Sequence, residues 1–206
     1  YDLTTYLAIY ETLNGKNSDR YQYVFPSYNL TKNFTMEYFD GSFNFNSYGN
    51  NTQRNTNIMT TTLSNNLNYL ANNIFFDNGI KSNYEIQLQN INAVGKNNPQ
   101  YKESVQSELL SSYVYNISLP LEKETQKNLN LLEPKISLRT SPHEMKDSSA
   151  ENQRISINNI FSANRLGSFE SGESLTLGLN FKHDKINIKN EITQIEDYFD
   201  LRLATV

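Results

Sequence analysis

From Ser174 to Lys182 the chain alternates strictly: Leu175, Leu177, Leu179 and Phe181 are interleaved with Thr176, Gly178 and Asn180. Side chains of a strand point to opposite faces in turn, so this run makes one apolar face and one polar face. The pattern recurs. Val105, Leu109, Tyr113, Tyr115, Ile117, Leu119 and Leu121 share one parity, opposite Gln106, Glu108, Ser112, Asn116 and Ser118; Leu110 and Val114 are exceptions. Ile80, Tyr84, Ile86 and Leu88 alternate with Lys81, Asn83, Glu85, Gln87 and Gln89 until the parity slips at Asn90, which predicts a bulge there. Weaker strands are expected over 2–12, 20–33, 41–48, 57–76, 131–139 and 198–206.

Turn-forming pairs punctuate these runs. Asn14-Gly15, Asp77-Asn78-Gly79 and His183-Asp184 separate strand-like segments, with Asp40-Gly41 and Gly49-Asn50-Asn51 nearby, so neighbouring strands are expected to pair antiparallel in sequence order. Longer polar connections are expected at about 95–103, 122–130 and 140–172. The predicted fold is all-β, an antiparallel up-and-down meander.

Composition narrows the function. Only 37% of the 206 residues are hydrophobic and 19% charged, while Asn alone numbers 31, beside 14 Tyr and 11 Phe. That is too aromatic for ordinary disorder and too poorly charged for a helical bundle's surface. A net charge of -4, with Lys and Arg scattered, gives no electrostatic footprint for nucleic acid. No apolar run approaches the roughly 20 residues of a spanning helix. The absence of Cys removes disulfides, thiolate metal sites and cysteine nucleophiles together. His143, in a loop, and His183, at a turn, are expected to be solvated, and Glu122, Glu124 and Glu133 to be ordinary exposed carboxylates, so no catalytic, cofactor or metal site is expected. The start at Tyr1 and the stop at Val206 inside an apparent strand suggest a processed protein or an internal fragment.

Two kinds of sheet alternate in this way: soluble sandwiches or barrels with the apolar face inward, and outer-membrane barrels with it outward. Soluble strands usually run about five or six residues and tilted membrane strands about 9 to 11. The alternation here is sustained for longer than soluble strands need, and the opposite face carries Asn, Gln, Ser and Thr, which a watery lumen accepts. Tyr69, Tyr84, Tyr113 and Tyr115 stand near expected strand ends, where a phenol can span lipid and headgroup. The sequence therefore favours an outer-membrane β-barrel over a soluble β-sheet carbohydrate-binding or adhesion module. Leu177 is assigned to lipid, and Thr176, Gln87, Gln106, Asn116 and Asn180 to the lumen.

A resemblance sharpens this. Leu131-Leu132-Glu133-Pro134 running into Lys135 to Arg139 is followed by a loop over 147–154. Then come Ile157-Asn158-Asn159-Ile160-Phe161-Ser162-Ala163-Asn164-Arg165-Leu166 and Glu170-Ser171-Gly172 leading into the strand Leu175 to Phe181. In order and spacing these pieces resemble the barrel of the outer-membrane lipopolysaccharide-assembly family LptD, also called organic solvent tolerance protein. Pro26 before Tyr28, and Pro120 closing a long strand, fit the same pattern; Asn158 departs from the acidic residue common there.

The resemblance implies that residues 1–206 are the middle of one transmembrane β-barrel domain, a partial, open segment of a large outer-membrane β-barrel, with a long loop at about 140–172. The implied task is inserting lipopolysaccharide into the outer leaflet of a Gram-negative outer membrane. The implied partners are lipopolysaccharide, outer-membrane lipids, an LptE-like plug lipoprotein and an LptA-like periplasmic bridge, with no enzyme activity and no cofactor. Leu132, Glu133, Pro134, Asn159, Ser162, Asn164, Arg165, Glu170, Ser171 and Gly172 carry the family motif and are expected to be structural, with Glu133-Pro134 at a strand's start and Asn164 and Arg165 ordering the loop. A porin or another outer-membrane transporter barrel is the nearest alternative.

Overall fold

A computed structural model describes residues 1–13, 20–54, 57–144, 154–166, 169–189 and 192–206, with backbone alone at 187–189 and 192–194. The expected Asn14-Gly15 turn and the loop over 147–153 lie outside the described residues. The fold is all-β, an antiparallel up-and-down sheet. Its strands are β1 (Asp2–Glu11), β2 (Tyr21–Met36), β3 (Phe39–Arg54), β4 (Met59–Ala71), β5 (Ile74–Phe75), β6 (Lys81–Lys96), β7 (Gln106–Ser118), β8 (Leu121–Glu124), β9 (Asn128–Ser141), β10 (Gly172–Lys189) and β11 (Ile192–Thr205). The order is β1-β2-β3-β4-β6-β7-β9-β10-β11, with β5 on β6 and β8 on β9, so the sheet does not close on itself. No helix among the described residues is long and apolar enough to cross a membrane, which says nothing of crossing by strands.

The chain divides into two compact units, residues 1–69 with 87–111, and residues 70–86 with 112–206. In the first, Tyr28 lays its ring across Gly49 of β3, where any Cβ would collide with it. Side-chain amides run between β2 and β3, from Asn46 to Asn29 and Thr31, each at 2.9 Å. The faces are only partly segregated there, because Phe43, stacked on Phe34 and tilted against Tyr69, shares the odd-numbered face of β3 with Ser47.

In the second unit segregation is sharp. The ladder sets Ile117 of β7 beside Ile136 of β9 and Ile136 beside Leu177 of β10. The neighbouring rows are Tyr115, Leu138 and Leu175, and Leu121, Leu132, Phe181 and Leu201. Pro134 and Leu203 flank Leu179 in the same manner. These side chains form a continuous apolar lattice, and it is exposed: Leu175 is 51% and Leu177 46% accessible, whereas Thr176 between them is 2%. Each Leu-sized side chain moved out of water gains about 1.5–3 kcal/mol, so this face strongly favours an apolar surrounding.

Several expectations need correction. His183-Asp184 is no turn: both lie inside β10, paired with Phe199 and Asp197 of β11, and the register shift between them leaves Tyr198 as the extra residue of a bulge. The polar stretch at 122–130 is mostly strand, with only 125–127 between β8 and β9. Pro120 does not close its strand, because Ser118 pairs with Lys135 and Leu121 with Leu132, so β8 continues the line of β7 in unbroken register. Pro134 likewise sits in mid-strand rather than at a start, opposite the Leu119-Pro120 interruption; its carbonyl accepts from Leu119 N at 3.1 Å, and the reciprocal ladder bond is the one its missing N–H forgoes. Gly41 and Gly49-Asn50-Asn51 lie within β3, and the expected strand over 57–76 breaks at Asn72-Asn73. Tyr69, expected at a lipid interface, is buried against Phe39 and Phe43 with its hydroxyl donating to Asp40 O at 3.2 Å. The Asp77-Asn78-Gly79 turn is as expected, with Gly79 at φ 82°.

Candidate functional site: the covered polar face of the second unit

Glu133, Lys135, Ser137, Arg139 and Ser141 have the parity opposite to Leu132, Ile136 and Leu138, so they share the polar face of β9. Thr176, Gly178 and Asn180 lie on the same face of β10, paired with Ser137, Lys135 and Glu133. The connection from β9 to β10 returns over this face. Ile160, Ala163 and Arg165 are buried. A Cβ added to Gly178 would strike the Phe161 ring, so glycine is what allows the ring to lie on the strand.

Local bonds shape the connection. Asn159 Oδ1 accepts from Ser156 N at 2.7 Å while its Nδ2 donates to the carbonyls of Arg154 and Arg165 at 2.9 and 3.1 Å. The Asn159 carbonyl accepts from Ser162 N at 2.9 Å, and Ser162 Oγ accepts from Asn164 N at 3.3 Å. The bonds that order the loop come from Asn159, whereas the buried Oδ1 of Asn164 has no hydrogen-bond partner among the described residues.

Arg165 donates from Nε and one terminal nitrogen to the two oxygens of Glu170, at 2.8 and 2.7 Å. Arg139 reaches the same carboxylate at 3.1 Å and the Glu170 carbonyl at 2.5 Å, and also donates to Ser141 Oγ at 3.1 Å and Ser174 Oγ at 3.3 Å. Both guanidinium side chains are 4% accessible. The hydrogen bonds from Arg165 hold the Glu170 carboxyl below the usual carboxylate range, against the opposing effect of burial and with help from the charge of Arg139. Two buried cations on one anion leave the cluster net positive, with its donors placed on protein acceptors.

Beside the cluster lies a recess of about 200 Å³. Its walls include a relay of amides, Asn116 Nδ2 to Asn83 Oδ1 and Asn83 Nδ2 to Asn73 Oδ1, each at 3.1 Å. They also include the Lys135–Glu133 ion pair at 2.9 Å, to which Asn180 donates at 3.3 Å, then Lys81, and on one side Phe161. The buried Oδ1 of Asn116 has no hydrogen-bond partner among the described residues.

The motif residues therefore divide. Asn159, Ser162, Arg165 and Glu170 build the returning connection, Asn164 contributes backbone, and Ser171 leads to Gly172, which opens β10 at φ 87°. Glu133 joins the recess, while Leu132 and Pro134 belong to the apolar lattice. Arg139 and Phe161 were not foreseen as partners; the available signals were a lone Arg on the polar parity of a strand and a lone Gly in the cleanest alternating run. Of the expected lumen residues, Asn116 and Asn180 are on the polar face, whereas Gln106 is exposed and donates to Ser104 and to the Val105 carbonyl. His183 bonds Asn130 at 2.6 Å, and His143 has a long contact to Phe169 O at 3.4 Å. Glu122 and Glu124 are exposed on β8. No metal-holding group of His, Cys, Asp and Glu occurs among the described residues.

A scan against protein-family models, a search of curated proteins and a search of solved structures each returned no match.

Proposed function

We propose that the chain is a segment of an outer-membrane β-barrel, with the apolar lattice of its second unit in lipid and the polar face toward a watery lumen. The observation that carries the reading is the inversion of exposure on β10: alternate leucines open, and the threonine between them buried. A soluble sandwich packs its leucines inward. A barrel strand presents them to hydrocarbon, and only the lumen side needs polar chemistry.

The specific task we propose is that of a lipopolysaccharide-translocon component, supported by the resemblance of 131–139, 157–166 and 170–181 to that family. The barrel offers an amphiphile two environments at once. Side chains such as Asn116, Asn180 and Lys135 hydrate an oligosaccharide, while acyl chains pass into lipid at the barrel wall. The loop bearing Phe161 and Arg165 narrows the lumen. Transport energy comes from elsewhere, because these residues offer no nucleotide chemistry. The plug lipoprotein and periplasmic bridge implied by the resemblance belong to the same proposal.

Depletion of the full-length protein in its Gram-negative host, followed by whole-cell labelling of surface lipopolysaccharide, tests the reading. The expected result is loss of newly made lipopolysaccharide from the surface while small-solute uptake persists. Unchanged surface lipopolysaccharide with impaired solute uptake would replace it with a porin, and recovery of the protein outside the membrane fraction would remove the barrel altogether.

A further inference from the structure

We propose that the recess on the polar face of the second unit is a binding site for a single sugar ring. The site rests on the reading of that face as wet, and not on lipopolysaccharide transport. Its volume, about 200 Å³, holds about six or seven waters at liquid density, which is the scale of one pyranose and well below a drug-sized pocket.

The lining has the two chemistries a pyranose needs. Hydroxyl groups require donors and acceptors in fixed positions, and the Asn116–Asn83–Asn73 relay supplies amides already held by one another. Asn116 anchors Asn83 and so fixes the orientation of the amides that a ligand hydroxyl meets in the recess. The Glu133 carboxylate, braced by Lys135 and Asn180, adds a charged acceptor. The C–H face of the ring requires an aromatic wall, and Phe161 provides one, seated on Gly178. Lys81 adds a cation to the lining, giving an anionic sugar an advantage over a neutral one.

The test is saturation-transfer NMR on the full chain folded in detergent, with methyl glucoside, glucuronate and glycerol as probes. Both sugars should receive saturation at ring protons, glucuronate binding more tightly, and glycerol should receive none. Phe161→Leu keeps apolar bulk under the loop and should weaken both sugars about tenfold. Asn116→Ala should do the same, while Lys81→Met should abolish only the preference for glucuronate. Absence of transfer to either sugar in a folded chain, equal transfer to glycerol, or sugar binding indifferent to both Phe161→Leu and Asn116→Ala would overturn the proposal. Binding that survives in a protein whose depletion leaves surface lipopolysaccharide intact would refute the translocon reading and leave the sugar site standing.

Discussion

Arg165 grips Glu170 with two hydrogen bonds of 2.7 and 2.8 Å, closing a five-residue span of the β9–β10 connection onto the polar face of the sheet. The carboxylate is shared with Arg139 of β9, so the same pair that shapes the loop also anchors it to the strand.

Removing that carboxylate should hurt more than removing a surface charge. Glu170→Ala leaves two buried guanidinium groups without their anion, and breaking a buried pair in this way costs about 3–5 kcal/mol. Denaturant titration of the chain in liposomes should show a loss near the lower figure, because Glu170 itself is 24% accessible. A change below about 0.5 kcal/mol would mean that the cluster does not anchor the loop.

The same cluster sets a pH dependence. The Glu170 carboxyl is held below its ordinary value by the Arg165 hydrogen bonds. A depressed carboxylate contributes stability that is fully present above its unfolded value of about 4.3 and is lost as pH falls through the folded one. Protease protection of the loop at 154–166 should therefore hold at neutral pH and fail only under acid, and in Glu170→Gln it should be weaker and insensitive to pH between 3 and 6.

Gly178→Val should push Phe161 off the strand. A side chain forced into this contact costs about 1–3 kcal/mol. Phe161→Ala in the same chain should recover most of that loss, since the two positions touch and their effects cannot add. Additive losses in the double-mutant cycle would show that the ring does not rest on Gly178.

Leu177→Arg tests which face meets lipid. A cation at mid-bilayer costs about 2–4 kcal/mol. Thr176 is the adjacent residue, but at 2% exposure it is packed, so an Arg there collides rather than dissolves. The fair comparison is Asn180→Arg, which stands beside the Glu133 carboxylate and should cost less than about 1 kcal/mol. Denaturant titration after assembly into liposomes would measure both; a larger penalty for Asn180→Arg would invert the faces.

The chain released into plain buffer should self-associate. Its open apolar lattice and the end strands β1 and β11, each with a single partner in the strand order, invite association. Sedimentation should find aggregates without detergent, and a monomer that unfolds cooperatively would speak for a soluble module.

The alternation of Leu175, Leu177, Leu179 and Phe181 was sufficient to establish strand type and the two faces, because side-chain direction in a strand follows from local backbone geometry. Neighbour-to-neighbour pairing followed from the short turns, with Asp77-Asn78-Gly79 the clearest. The strand ends were poorly legible. His183-Asp184 and Pro120 read as turns because their residue types suit turns, yet β9 supplies pairing partners across both, and a bulge or one missing donor is cheaper than ending a ladder there. Tyr69 was misplaced for a related reason: a tyrosine near a strand end suits an interface or a core equally, and the nearby Phe39 and Phe43 decided for the core.

The polar face shows the same division. Its composition was written in the sequence, and so was a long connection beyond β9. That Arg139 and Arg165, 26 positions apart, would meet on Glu170, and that Phe161 would find Gly178 of β10 and close a recess with Asn116 and Glu133, was decided only when the connection folded back over the strands. Period two fixes direction within a strand, but it carries no information about which distant segment will cover a face once made.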